Sequence, residues 1–125
     1  MSETLKVTVN IERNGQAIPG FPLVKRLTVD EIQQAAPYEK ADDGDGTTFS
    51  TLPTTQMAEL NFLFITADQK LTFRLDGQSD AGIVLNATGF ILLCNTDIDA
   101  GASTNAKVNN NTGSTATVTL IGGGT

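Results

Sequence analysis

Two acidic groupings, one thiol, one glycine run and one basic pair are the places where this 125-residue chain could do chemistry. Asp42-Asp43-Gly44-Asp45-Gly46 sets carboxylates along a tight glycine-rich loop, and such hard oxygens suit calcium. The order of acids and glycine departs from an EF-hand loop, and no bidentate Glu stands at its twelfth position. A solvated acidic turn accounts for the run, and no metal is expected there. Asp97-Ile98-Asp99 places two carboxylates on one side of an extended chain, a pairing that glycosidases use. Those enzymes line a sugar cleft with aromatics, whereas this chain has no Trp and one Tyr, Tyr38. Cys94 ends the apolar run Phe90-Ile91-Leu92-Leu93. The chain has no histidine to activate it, so the thiol reads as a small hydrophobe. Gly122-Gly123-Gly124 has no following helix and no Walker lysine, so it reads as a flexible tail rather than a phosphate loop. Lys25-Arg26 stands without interleaved aromatics, so no nucleic-acid groove is suggested. No catalytic residue, cofactor or metal follows from these groups, and the chain reads as a non-enzyme.

The elements that would carry these residues are strands. A chain of this length is one domain and buries about two-thirds of its unfolded surface. A net charge of -6 and a pI near 4.3 argue against nucleic acid and against anionic membrane lipid. No apolar stretch approaches the roughly 20 residues of a membrane span. The start Met1-Ser2-Glu3-Thr4-Leu5-Lys6 lacks signal-peptide features, and a lone cysteine makes no internal disulfide. A soluble protein made in a reducing cytoplasm is expected.

Leu5, Val7, Val9 and Ile11 alternate with polar residues, marking a half-buried strand. Asn14-Gly15 supplies a type I′ hairpin turn. The return, Gln16 to Leu27, holds Pro19, Gly20 and Pro22, and is expected as an edge strand or irregular arm. Residues 28–36 match a helix-capping box at Thr28-Val29-Asp30-Glu31, but the alternation of Leu27 and Val29 favours a strand or extended connection. Met57 to Thr66 is apolar on both faces and reads as a central strand covered on both sides. Lys70 to Leu75, Ile83 to Leu85, Gly89 to Cys94, a weaker segment at Val108, and Thr115 to Ile121 follow. Eight or nine short strands at spacings of about 8–12 residues predict an all-β fold, a β-sandwich of jelly-roll type, with an Ig-like sandwich or open barrel as alternatives. The expected single domain, 1–125, comprises an N-terminal hairpin and extended segment at 1–46 and a main β core at 47–121. Leu60, Phe62, Phe64, Phe73, Leu75, Leu85, Phe90 and Leu92 are the expected core.

Charge is unevenly placed. Residues 1–80 hold 19 of the 22 charged side chains, and residues 81–125 hold only Asp97, Asp99 and Lys107. A near-neutral, small-residue third suits close contact with another chain, since little charge must be desolvated. Ala102, Thr104, Val108, Thr115 and Thr117 are the expected subunit contacts.

Gly82-Ile83-Val84-Leu85-Asn86-Ala87-Thr88-Gly89-Phe90-Ile91-Leu92-Leu93, then Asn95-Thr96-Asp97-Ile98-Asp99-Ala100-Gly101, and the Thr/Asn/Gly-rich close at 109–125 give residues 57–125 a recognisable texture. It resembles small virion structural proteins of tailed bacteriophages, the decoration (cement) and minor tail proteins. The resemblance implies a β-sandwich that binds the major capsid protein or another virion protein, is usually a homo-oligomer and often a trimer, and catalyses nothing. A virion location, after synthesis in the host cytoplasm, follows from it. The proline-bearing segment Ile18 to Leu23 is the expected capsid-contacting arm, with Phe21, Pro22 and Leu23 as contacts. The alternative is a tail-associated receptor- or carbohydrate-binding module, with Tyr38 near the acidic turn as its exposed aromatic.

Overall fold

A computed structural model describes residues 2–54, 59–75, 82–99 and 106–125, with the backbone alone at 35–37, 97 and 99. The alternating Leu5, Val7 and Val9 form β1 (Glu3–Val9), which pairs antiparallel with β4 (Leu23–Val29) in a two-stranded ribbon. Two short strands, β2 (Glu12–Arg13) and β3 (Gln16–Ala17), extend it to its tip. Asn14 and Gly15 close the tip with φ of 53° and 78°, the two left-handed residues of the type I′ turn. Pro19-Gly20 makes a second turn. The Phe21 N–H donates to the Ile18 carbonyl at 3.0 Å and Gly20 has φ of 94°, as a type II turn requires of its third residue. The prolines therefore do not leave Ile18 to Leu23 an irregular arm. They fold the segment into a tight turn along the returning arm of the hairpin.

From Glu31 onward the chain is one long antiparallel ribbon rolled over on itself. Its strands are β5 (Glu31–Lys40), β6 (Ser50–Thr51), β7 (Leu60–Ala67), β8 (Leu71–Arg74), β9 (Ile83–Leu85), β10 (Phe90–Asp99), β11 (Lys107–Asn109) and β12 (Ala116–Gly124). First pairs with last and so inward: β5 with β12, β6 with β11, β7 with β10, β8 with β9. Alternate pairs enter different sheets, and β7–β12 and β8–β11 contacts join them. The resulting orders, β10-β7-β12-β5 and β6-β11-β8-β9, are those of an eight-stranded double-sheet jelly roll. Nine of the twelve strands have three residues or more, which matches the strand density read from the sequence.

Two local features depart from the sequence reading, and one follows the reading it favoured: residues 31–40 are a strand, and the capping-box pattern makes no helix. Pro37 is accommodated because β5 is an edge strand and its register with β12 shifts between Val118 and Leu120. The ribbon therefore ends at Asp30 and not at residue 46. Gly122, Gly123 and Gly124 are no tail: they are buried, and they pair with both β5 and β7. A Cβ on Gly123 would lie 3.0 Å from Leu5 Cδ1 and 3.5 Å from Val29 Cγ1. The missing side chains let the base of the ribbon seat on the sheet.

The core lies between the two sheets. Leu63, Ile65, Val118 and Leu120 face Leu71, Phe73, Leu85 and Val108, all buried. Each such side chain contributes about 1.5–3 kcal/mol before entropy is subtracted. Of the expected core, Leu60, Phe62, Leu75 and Leu85 are also buried, but Phe90 is 63% exposed. Phe90 points to the outer face of the edge strand β10, beside Phe64 at a ring separation of 6.1 Å. Strand β7 is covered on its inner face by the second sheet, and the ribbon base covers its outer face around Phe62 and Gly123.

Candidate functional site

The ribbon is the first candidate surface. Among the described residues, strands β1 and β4 pair only with each other. Burial falls from Val29 at the base to full exposure at the tip. Ile11, Ile18, Leu23 and Val24 are large apolar residues exposed along it. An isolated two-stranded hairpin is marginal in water, so this one depends on its seating at Gly123. Its charge differs from that of the sandwich. Residues 2–29 carry Lys6, Arg13, Lys25 and Arg26 against Glu3 and Glu12, whereas residues 30–125 carry four cations against twelve acids. A ribbon of net charge +2 is thus attached to a body of -8.

The acidic turn is a clasp between loops. Asp43 accepts from Lys40 Nζ at 2.8 Å and from the Asn110 N–H at 2.8 Å. Burial pushes the Asp43 carboxyl up, but the Asn110 N–H and the Lys40 ammonium outweigh it and hold the group below its ordinary value. Asp45 accepts from the N–H groups of Thr47 and Thr48, which hold its carboxyl below the ordinary value. Asp42 accepts from the Gly113 N–H at 3.0 Å. Asn109 Nδ2 donates to the carbonyls of Asp45 and Thr48, and the fully buried Asn110 donates to those of Lys40 and Ser114. The three carboxylates that resembled a calcium loop thus bind this chain's own donors. No group of three acidic, histidine or cysteine side chains among the described residues is placed to hold a metal.

The same clasp walls a cavity of about 410 Å³ on the outer face of the β6-β11-β8-β9 sheet. Inward-pointing Leu71, Phe73 and Val108 leave Lys70, Thr72, Arg74 and Asn109 to the outer side, with Thr72 opposite Asn109 in register. Gly46, Asn111 and Thr112 line it from the loops. The Arg74 guanidinium lies 4.0 Å from the centre of the Phe49 ring, and its buried Nε has no hydrogen-bond partner. Sequence alternation already put Lys70, Thr72 and Arg74 on one strand face. Nothing in the sequence placed Asn109 and the 41–49 loop beside them.

The residues singled out from sequence separate in space. Phe21 is half-buried, Pro22 and Leu23 are exposed, and all three lie on the ribbon. Val108 is fully buried in the protein's own core and cannot meet a second subunit. Thr115 is exposed, and Thr117 is half-buried, bonding Glu39 and Asp68 across its own sheet. Ala102 and Thr104 lie outside the described residues, as do the side chains of Asp97 and Asp99. Two strands of the charge-poor final third, β11 and β12, are interior strands of their sheets. Tyr38 packs against the core, and burial followed by the Asp43 charge pushes its phenol up. It is half-buried, not the exposed aromatic expected from sequence. Cys94 is half-buried on β10. No helix among the described residues is long and apolar enough to cross a membrane. No family model, curated protein or solved structure matches the chain.

Proposed function

We propose that the chain is a non-enzymatic virion protein of the decoration or cement type found in tailed bacteriophages, which associates with itself and docks on a protein lattice through its N-terminal ribbon. One observation carries this reading: a basic ribbon with exposed Ile11, Ile18, Leu23 and Val24 projects from a sandwich that needs none of its outer length for its own core. Association of an arm of +2 with an acidic protein surface is favoured by charge, and the apolar residues supply the burial that holds it. The acidic body of a neighbouring copy and an acidic lattice protein both meet that requirement, and homo-oligomerisation, trimeric on the resemblance above, belongs to the proposal.

The test is co-sedimentation with purified particles that lack the chain, from the virus whose genome encodes it. The wild type should pellet with the particles. Leu23→Asp/Val24→Asp should stay in the supernatant while its unfolding free energy moves by no more than about 0.5 kcal/mol, as for exposed sites. A wild type that fails to pellet, or a folded double variant that pellets equally, overturns the proposal.

A further inference from the structure

The geometry points to a binding site for an acidic saccharide in the cavity on the outer face of the β6-β11-β8-β9 sheet. The first ground is charge. Residues 30–125 contain only four cations among twelve acids. Lys40 is committed to Asp43, the one ion pair among the described residues. The other three, Lys70, Arg74 and Lys107, converge on this one sheet face, and Lys107 stands directly opposite Arg74 in register. In a protein of pI near 4.3, three cations on one face with no carboxylate paired to them among the described residues are placed for an external anion.

The second ground is pre-organisation. The Arg74 guanidinium is held against Phe49, and its buried Nε is left without a partner. Arginine fixed in this way presents its remaining donors as a fork suited to a carboxylate or sulfate group. The walls are rigid for a separate reason. Asn109 anchors the 41–49 loop through Asp45 and Thr48, and the Asp45 carboxylate is turned onto the N–H groups of Thr47 and Thr48 instead of facing the cations. The third ground is the lining. The Thr72 hydroxyl and the Asn111 amide can exchange hydrogen bonds with sugar hydroxyls, while Asn109 and Thr112, already bonded within the chain, complete the wall. A volume of about 410 Å³ lies within the range of small-ligand sites. Cations at the rim and hydroxyl and amide groups inside match a sugar ring bearing a negative group. The site is remote from the ribbon in sequence and does not depend on lattice docking.

The experiment is a ¹⁵N-resolved NMR titration of the whole chain with sodium glucuronate, run beside glucose and sodium sulfate, each to about 20 mM, since single-sugar affinities lie in the millimolar range. Glucuronate should shift the amide signals of Thr72, Asn109, Asn111 and Thr112 in a saturable way, and glucose should not. Sulfate should bind more weakly and leave the Asn111 and Thr112 signals unmoved. Arg74→Gln should weaken glucuronate roughly tenfold or more, as loss of a charge-assisted hydrogen bond does. Arg74→Lys should restore only part of it, because the fork is lost. Retained spectral dispersion distinguishes lost binding from lost folding, and Lys70→Gln, on an exposed side chain, provides a second variant that leaves the fold intact. No saturable shift with glucuronate overturns the site. Equal response to glucose overturns the role of the cations, and equal response to sulfate overturns the saccharide.

Discussion

Asn110 is the residue on which most of the loop structure converges. Fully buried, it donates to the carbonyls of Lys40 and Ser114 and accepts from Thr112, so it ties the end of β5 to the turn before β12. Removing it leaves carbonyls without donors in a dry site. Asn110→Ala should cost about 1–3 kcal/mol for each group so orphaned, measured by urea unfolding. Asp43 and Asp45, close by, make the fold acid-sensitive. Both carboxyls sit below their ordinary values when folded. Their contribution is therefore fully present above about pH 4 and is lost as the pH falls through the lowered folded values. Unfolding free energy should fall as the pH is lowered below about 4, and Asp43→Asn should flatten that slope. An unchanged slope would remove Asp43 from the clasp. The sequence marked this acidic run as a turn. It could not show that, beside the local Lys40, Thr47 and Thr48, donors come from Asn109, Asn110 and Gly113, more than sixty residues away.

At the scale of elements, the decisive contact is between the ribbon and β12. Gly123 sits under Leu5 and Val29 and beside Phe62; a Cβ there would lie 3.0 Å from Leu5 Cδ1, which must give way, and any larger side chain must press on all three. Gly123→Val should destabilise by about 1–3 kcal/mol, the range for overpacking a filled site. Leu5→Ala in the same chain should recover part of that loss, because it vacates the space the new methyls need. Thermal unfolding of the single and double variants checks this coupling, and strict additivity would deny the contact. Alternation in β1 and the Asn14-Gly15 turn were legible, because period and turn chemistry are local properties. The glycine run was misread for the opposite reason: three glycines carry no pattern, and their burial depends on a ribbon that begins 120 residues earlier.

For the whole molecule, charge is divided between two parts. The ribbon at +2 and the remainder at -8 attract, within one copy or between copies, and opposite charges on exposed surfaces are screened by salt. Under the proposed function, light scattering at micromolar concentration should give a mass above the 13.2 kDa of one chain at low salt, falling towards it as salt is raised. The Val24→Asp variant should lower the mass at every salt concentration. A mass of one chain throughout would remove self-association from the proposal and leave lattice docking to its own test.

The sequence by itself determined the all-β class, the number of strands and the hairpin tip, since each rests on neighbours within about ten residues. It also determined the absence of histidine and the overall acidity, because composition needs no fold. Only the tertiary structure decided that eight strands roll into two sheets with first paired to last. It alone showed that Val108 belongs to the core and Phe90 to the surface, and that Lys70, Arg74 and Lys107 share one face with Asn109. The physical reason is that strand pairing between distant segments is chosen by the burial of whole faces at once. Period-two alternation says which residues share a side of a strand, and the fold alone says which side is inside.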